Sequence, residues 1–192
     1  LILLLQRLAE ESGHQEVGDA PLVLWGHSAA GSFAMTFAAL QPRRTIAFVR
    51  YHSHLRGLRV DMKTVAAIPA LLFAGDKDET AGVEDTQQLW TVGRANSAPW
   101  TFALEPGATH GSLESLKKAN ALTIPWIAAV FTQRVSAGQT ALRPVIERPA
   151  WMGNHATGEI SAVASLRGSV SESWLPDEPS ARGWRMVSGT EK

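Results

Sequence analysis

Leu22-Val23-Leu24-Trp25-Gly26-His27-Ser28-Ala29-Ala30-Gly31 runs from a continuously apolar segment, through a turn of small residues, into a stretch of helical period. An apolar run of this length is expected of a strand covered on both faces in a parallel sheet, and a helix starting directly after it completes a strand–turn–helix unit. The helix is expected over Ala29 to Leu40, with Phe33, Phe37 and Leu40 on one face and Pro42 as its stop. No charged residue occurs from Ala20 to Pro42, a length that raises a membrane span. Gly26, His27, Ser28, Gly31, Ser32, Thr36 and Gln41 interrupt the segment, so a buried strand followed by a buried helix is the expectation.

The alternation continues outward from this unit. Upstream, Leu1, Leu4, Leu5 and Leu8 recur at helical spacing and Gly13 ends the pattern, so the chain opens inside an amphipathic helix. Leu1 is not preceded by an initiator Met, and the sequence is expected to be a piece of a longer protein. Downstream, Thr45 to Tyr51, Ala70 to Ala74 and Trp100 to Leu104 read as further strands. Val83 to Val92 fits a helix, and Leu113 to about Val135 fits a terminal helical segment with a break or restart at Pro125. Strands alternating with helices imply an α/β fold, layered, with a mainly parallel sheet and flanking helices.

From about Ala137 the composition changes. Pro144, Pro149, Gly153, Gly158, Gly168, Pro176, Pro179 and Gly183 mark a loop-rich extension, and Trp151, Trp174 and Trp184 are expected to anchor it on the rest. The chain therefore divides at 1–136 and 137–192. Its 192 residues carry 18 Lys and Arg against 18 Asp and Glu, a formal charge of zero, which gives no electrostatic case for a nucleic acid or an anionic membrane as partner. With no cysteine, thiolate nucleophiles, disulfides and Cys-ligated zinc are excluded.

Chemistry is expected where predicted strands end. Ser28 lies on the turn after the first strand, flanked by small residues that let backbones approach, and the backbone N–H of Ala29 opens the next helix, placed to donate to an oxyanion. The third strand runs into Gly75-Asp76-Lys77-Asp78-Glu79, and the fourth into Glu105-Pro106-Gly107-Ala108-Thr109-His110-Gly111. These three segments resemble the α/β-hydrolase family, in which a strand–turn–helix serine is followed in the chain by an acid and then a histidine. The match to G-x-S-x-G is Gly26-His27-Ser28-Ala29-Ala30, with Ala in the last position and Gly31 one residue later.

The resemblance covers about Leu1 to Val135 and the second half of the family's sheet, from the serine strand onward. It implies a Ser28–Asp78–His110 triad, with Asp76 as the reserve acid, and no metal or cofactor. It also implies a preceding half that supplies a neighbouring strand and the second oxyanion donor. His27, His52 and His54 are expected to line the substrate pocket, His27 as a packing residue and not as the base. A metal on His52 and His54 is disfavoured because no carboxylate or third His is near them in sequence.

The expected function is hydrolysis of a carboxylic ester, small or polymeric, through an acyl-enzyme. The short segment between Tyr51 and Pro69 leaves no room for a helical lid and favours bulky esters. The alternatives are an acyltransferase on the same scaffold and a catalytically silent binding module of the same fold.

Overall fold

The computed structural model describes residues 1–55, 59–145, 150–163 and 170–189. Pro149 and Gly168 of the C-terminal extension lie outside these. Four strands, β1 (Leu22–His27), β2 (Thr45–Tyr51), β3 (Ala70–Gly75) and β4 (Trp100–Glu105), form one parallel sheet in the order β1-β2-β3-β4. Helices α1 (Ile2–Ser12), α2 (Glu16–Asp19), α3 (Ala29–Leu40), α4 (Met62–Ala66), α5 (Glu84–Ala95) and α6 (Leu113–Arg134) precede, connect or follow the strands. The fold is mixed α/β with a parallel sheet flanked by helices, consistent with part of an α/β-hydrolase-like fold.

Side-chain alternation along the strands builds two cores, one on each face of the sheet. Leu71, Phe73 and Ala103 join Leu122, Trp126 and Val130 of α6 on one face. Ala70, Leu72 and Phe102 join Met35 and Ala38 of α3 and Leu89 and Trp90 of α5 on the other. β2 and β3 are buried on both faces along their whole length, so β3 reads as an unbroken apolar run and β2 as one from Ile46 to Val49, rather than as alternating strands.

Several expectations differ from the structure at their edges. On α3 the buried face is Gly31, Ala34, Met35, Phe37 and Ala38, while Phe33 and Leu40 are exposed. The covered face mixes small residues with Met35 and Phe37, and Phe33 and Leu40 lie off it. On α1, Ala9 is buried and Leu4 and Leu8 are exposed, so the leucine stripe is not the covered face. None of the described helices is long and apolar enough to cross a membrane.

α6 continues through Pro125 without the expected break. Pro125 has no N–H for the carbonyl of Ala121, and that carbonyl instead faces Gly183, where an added Cβ would collide with it. Gly183 belongs to α7 (Glu178–Val187), whose N-terminus is capped by Asp177 accepting from the backbone N–H of Ser180. The extension is more regular than its composition suggests: β5 (Ala150–Asn154), β6 (Ile160–Val163) and β7 (Glu172–Leu175) form an antiparallel sheet in the order β6-β5-β7.

This second sheet lies along the free edge of β4. The Phe102 N–H donates to Ser173 Oγ at 2.8 Å, Ser173 Oγ donates to the Phe102 carbonyl at 3.0 Å, and Trp184 Nε1 donates to the same carbonyl at 2.7 Å. Thr101 Oγ1 donates to the Trp174 carbonyl. Trp174 and Trp184 are fully buried and Trp151 partly so. Edge groups that would otherwise solicit another strand are thus satisfied inside the chain.

Candidate active site

β1 ends at His27, and the chain turns at Ser28 with φ 56° and ψ −126° before α3 starts at Ala29. This is a sparsely populated conformation for a residue with a Cβ, and it persists only where the surroundings over-determine it. The surroundings do so here. The Ser28 N–H donates to the Tyr51 carbonyl at 3.0 Å, and the Gly31 N–H donates to the Ser28 carbonyl at 3.0 Å. At Gly26 an added Cβ would collide with the backbone of Ala30, and at Gly31 it would stand 2.7 Å from Ser53 Cβ. Glycine is therefore needed at 26 and 31, while position 30 is exposed and carries Ala. Ser28 is partly exposed and Ala29 is exposed at the start of α3, where helix N–H groups have no partner within the helix.

β3 delivers Asp78 to the same end of the sheet. Its Oδ1 accepts from the N–H groups of Thr80 and Ala81, each at 2.9 Å. His110, in the loop after β4, places Nδ1 at 2.9 Å from Asp78 Oδ2 and 3.1 Å from Oδ1. Burial opposes ionisation of Asp78, but the Ala81 N–H, the His110 ring and the Thr80 N–H outweigh it and hold the carboxyl below its ordinary range. Asp76 is engaged elsewhere: its Oδ1 accepts from the Gly107 N–H at 2.6 Å, closing the turn that leads to His110.

The three histidines expected to line a pocket differ from one another. His27 is half-buried, and its Nε2 lies 2.7 Å from the His110 carbonyl, with the two rings 4.7 Å apart. His27 therefore ties the His110 loop to the end of β1. His52 is fully buried and does not line a pocket. It follows β2 with φ 45°, its Nε2 is 2.9 Å from Glu105 Oε2, and its Nδ1 is 3.3 Å from Asp78 Oδ2. His54 is partly exposed, and its carbonyl accepts from Arg50 at 2.9 Å and from Ser32 at 2.9 Å.

Sequence spacing set His52 apart from any carboxylate, yet the fold brings two against it, because β3 and β4 end beside β2. His52, Asp78 and His110 each offer an atom within 4.8 Å of the others, close enough in principle to share a metal ion. Glu105 and Arg50 escaped the sequence reading because each ends or nearly ends a strand and reads as an ordinary boundary residue. Arg50 is fully buried and donates to the Ser53 and His54 carbonyls, shaping the loop after β2. Burial lowers its guanidinium to about 10 against the opposing charge of Asp85. Burial first, and then the Glu105 carboxylate, raise the Tyr51 phenol above its ordinary range.

A cleft lined by Lys77, Glu79, Thr80, Thr109, His110 and Gly111 lies beside the His110 ring. A cavity of about 580 Å³ at the opposite end of the strands, lined by Ala66, Ala67, Ser97 and Pro99 among others, touches none of these groups. Of the candidate site residues, His110 lines the first of the two and none lines the second.

No family model matches the chain, and no curated protein does. Among solved structures, the crystal structure of esterase PE8 aligns with 65% of the chain at 19% identity and a TM-score of 0.49. The chain spans 57% of that esterase's length.

Proposed function

We propose that the chain carries the catalytic end of a serine hydrolase that cleaves carboxylic esters through an acyl-enzyme on Ser28. The observation that supports this most is the His110–Asp78 pair of 2.9 Å, tied through the His110 carbonyl to His27, the neighbour of Ser28. In this reading His110 Nδ1 keeps its proton on Asp78, which leaves Nε2 as the base. Ser28 Oγ attacks the acyl carbon as Nε2 takes its proton, and the C–O bond of the ester breaks as the same proton passes to the departing alkoxide. Water, deprotonated by the same nitrogen, then releases the acid and restores Ser28. The Ala29 N–H stabilises the oxyanion, and a second donor would come from elsewhere in the protein. No metal or cofactor enters these steps.

Residues 1–136 constitute the hydrolase part in this reading and 137–192 an extension that covers the β4 edge. The substrate is an ester, small or polymeric, and His27 and His54 border its place at the ends of β1 and β2. Turnover of a chromogenic ester by the wild type and by His110→Ala tests the assignment. A fall of roughly 10³-fold or more in kcat supports it, and unchanged turnover refutes His110 as the base.

A further inference from the structure

Beside Asp78 stands a buried pair that the triad reading does not use, its His52 ring 6.5 Å from that of His110. His52 is 0% exposed and Glu105 is 2% exposed. One ring nitrogen of His52 lies 2.9 Å from Glu105 Oε2, and the other lies 3.3 Å from Asp78 Oδ2, the same oxygen that His110 Nδ1 approaches to 2.9 Å. Each of the four groups therefore faces the next in the order Glu105, His52, Asp78, His110.

We propose that His52, braced by Glu105, is a positioning residue that fixes Oδ2 of Asp78 for His110. The inference rests on the triad assignment above.

Three features make this a built arrangement. His52 sits at φ 45°, a conformation held against its own strain, directly beside the positive-φ turn of Ser28. The Tyr51 ring stacks on the imidazole at 4.2 Å with an interplanar angle of 9°. At Gly75, opposite Glu105 in the β3–β4 register, an added Cβ would come within 2.8 Å of His52 Cε1, so the ring occupies space that only glycine leaves open.

The chemistry favours a role beyond filling. Nε2 forms the hydrogen bond of His52, to Glu105 Oε2 at 2.9 Å, while Nδ1 stands 3.3 Å from Asp78 Oδ2 without forming one. Two carboxylates buried beside one another are costly without a partner between them. Among the described residues, the side chains in ion-pair range of Asp78 and Glu105 are His52 and His110. Asp78 Oδ1 is fixed by Thr80 and Ala81. His52, packed 3.3 Å from Oδ2, limits where that oxygen can move, and through it the tilt of His110. Glu105 in turn keeps His52 from rotating away.

The test uses His52→Leu, His52→Gln and Glu105→Gln in the whole chain, each with its melting curve. Readouts are the kcat and KM of a chromogenic ester, the rate of fluorophosphonate labelling, and the ring N–H resonances of ¹⁵N-histidine protein. His52→Leu lowers kcat and the labelling rate by about 10²-fold with KM little changed, as expected of a misplacement of order 1 Å. His52→Gln, which keeps a polar side chain beside Asp78, recovers part of the loss, and the His110 Nδ1–H resonance moves in both variants. If His52→Leu fails to fold, Glu105→Gln carries the test with the same signature at smaller size.

A folded His52→Leu with the wild-type kcat, or a loss confined to KM, overturns the proposal. So does activity that is lost to a chelator and restored by zinc, which would make His52 a metal ligand with Asp78 and His110. Should Ser28 not label in the wild type, the triad reading fails, while the movement of the His110 resonance in the His52 variants still decides whether His52 positions Asp78.

Discussion

Asp78 Oδ2 lies 2.9 Å from His110 Nδ1, and the two residues come from loops after adjacent strands, 32 positions apart. The opposite oxygen is pinned by two backbone N–H groups, so the acid keeps its place even when its charge is removed. Asp78→Asn should therefore fold normally and lower kcat by about 10⁴-fold, because the amide presents the wrong hydrogen to His110. Asp76→Asn should leave kcat within a few-fold, since that side chain serves the turn at Gly107. Equal losses in the two variants would refute Asp78 as the acid.

The turn at Ser28 predicts a trade of activity for stability. A φ of 56° costs a serine of order 1–3 kcal/mol, and glycine escapes most of that cost. Ser28→Gly should raise stability by about 1 kcal/mol in urea unfolding while abolishing ester turnover. A destabilised Ser28→Gly would mean that the serine hydroxyl contributes more to the fold than the backbone strain removes.

The contact of Gly183 with the Ala121 carbonyl explains why α6 runs through Pro125. Gly183→Ala places a methyl group where that carbonyl stands, and it should cost about 3 kcal/mol by forcing α6 and α7 apart. Met186→Ala, half exposed on the same helix, should change stability by under ~1 kcal/mol. Chemical denaturation of both variants measures the difference.

His155 lies among the rings of Trp90, Phe102 and Trp184, with Nε2 2.9 Å from Ser173 Oγ. Burial pulls its imidazole down from 6.5 to about 4. Between these values the unfolded chain holds a proton that the folded chain does not. The stability conferred by the neutral ring is thus complete above pH 6.5 and is lost as pH falls toward 4, by roughly 3 kcal/mol in all. The difference in unfolding free energy between wild type and His155→Gln should narrow as pH drops through this window. A constant difference would contradict the assignment.

What the sequence disclosed and what it concealed follow one physical line. Apolar runs and their breakers located β1 to β4 and α3, α5 and α6; burial on both faces leaves that signature in β2 to β4, while β1 carries the same run with Trp25 exposed. That Ser28, Asp78 and His110 each follow a strand was legible from those runs, and parallel strands deliver their ends to one edge. His52 beside Glu105 was not legible, since it depends on which strands neighbour one another and in what register. Phe33 and Leu40 misled for a related reason: helical period groups residues on a face, but which face the sheet covers is set by the fold. In the extension, short strands such as Ile160–Val163 with half-exposed faces carry no run long enough to rise above their Gly and Pro neighbours.

The most direct test of the central claim is fluorophosphonate labelling of the chain followed by peptide mapping. One modified residue is expected, Ser28, with modification lost in Ser28→Ala and slowed by roughly 10²-fold or more in His110→Ala. Labelling that persists in Ser28→Ala, or that maps to another serine, would contradict it.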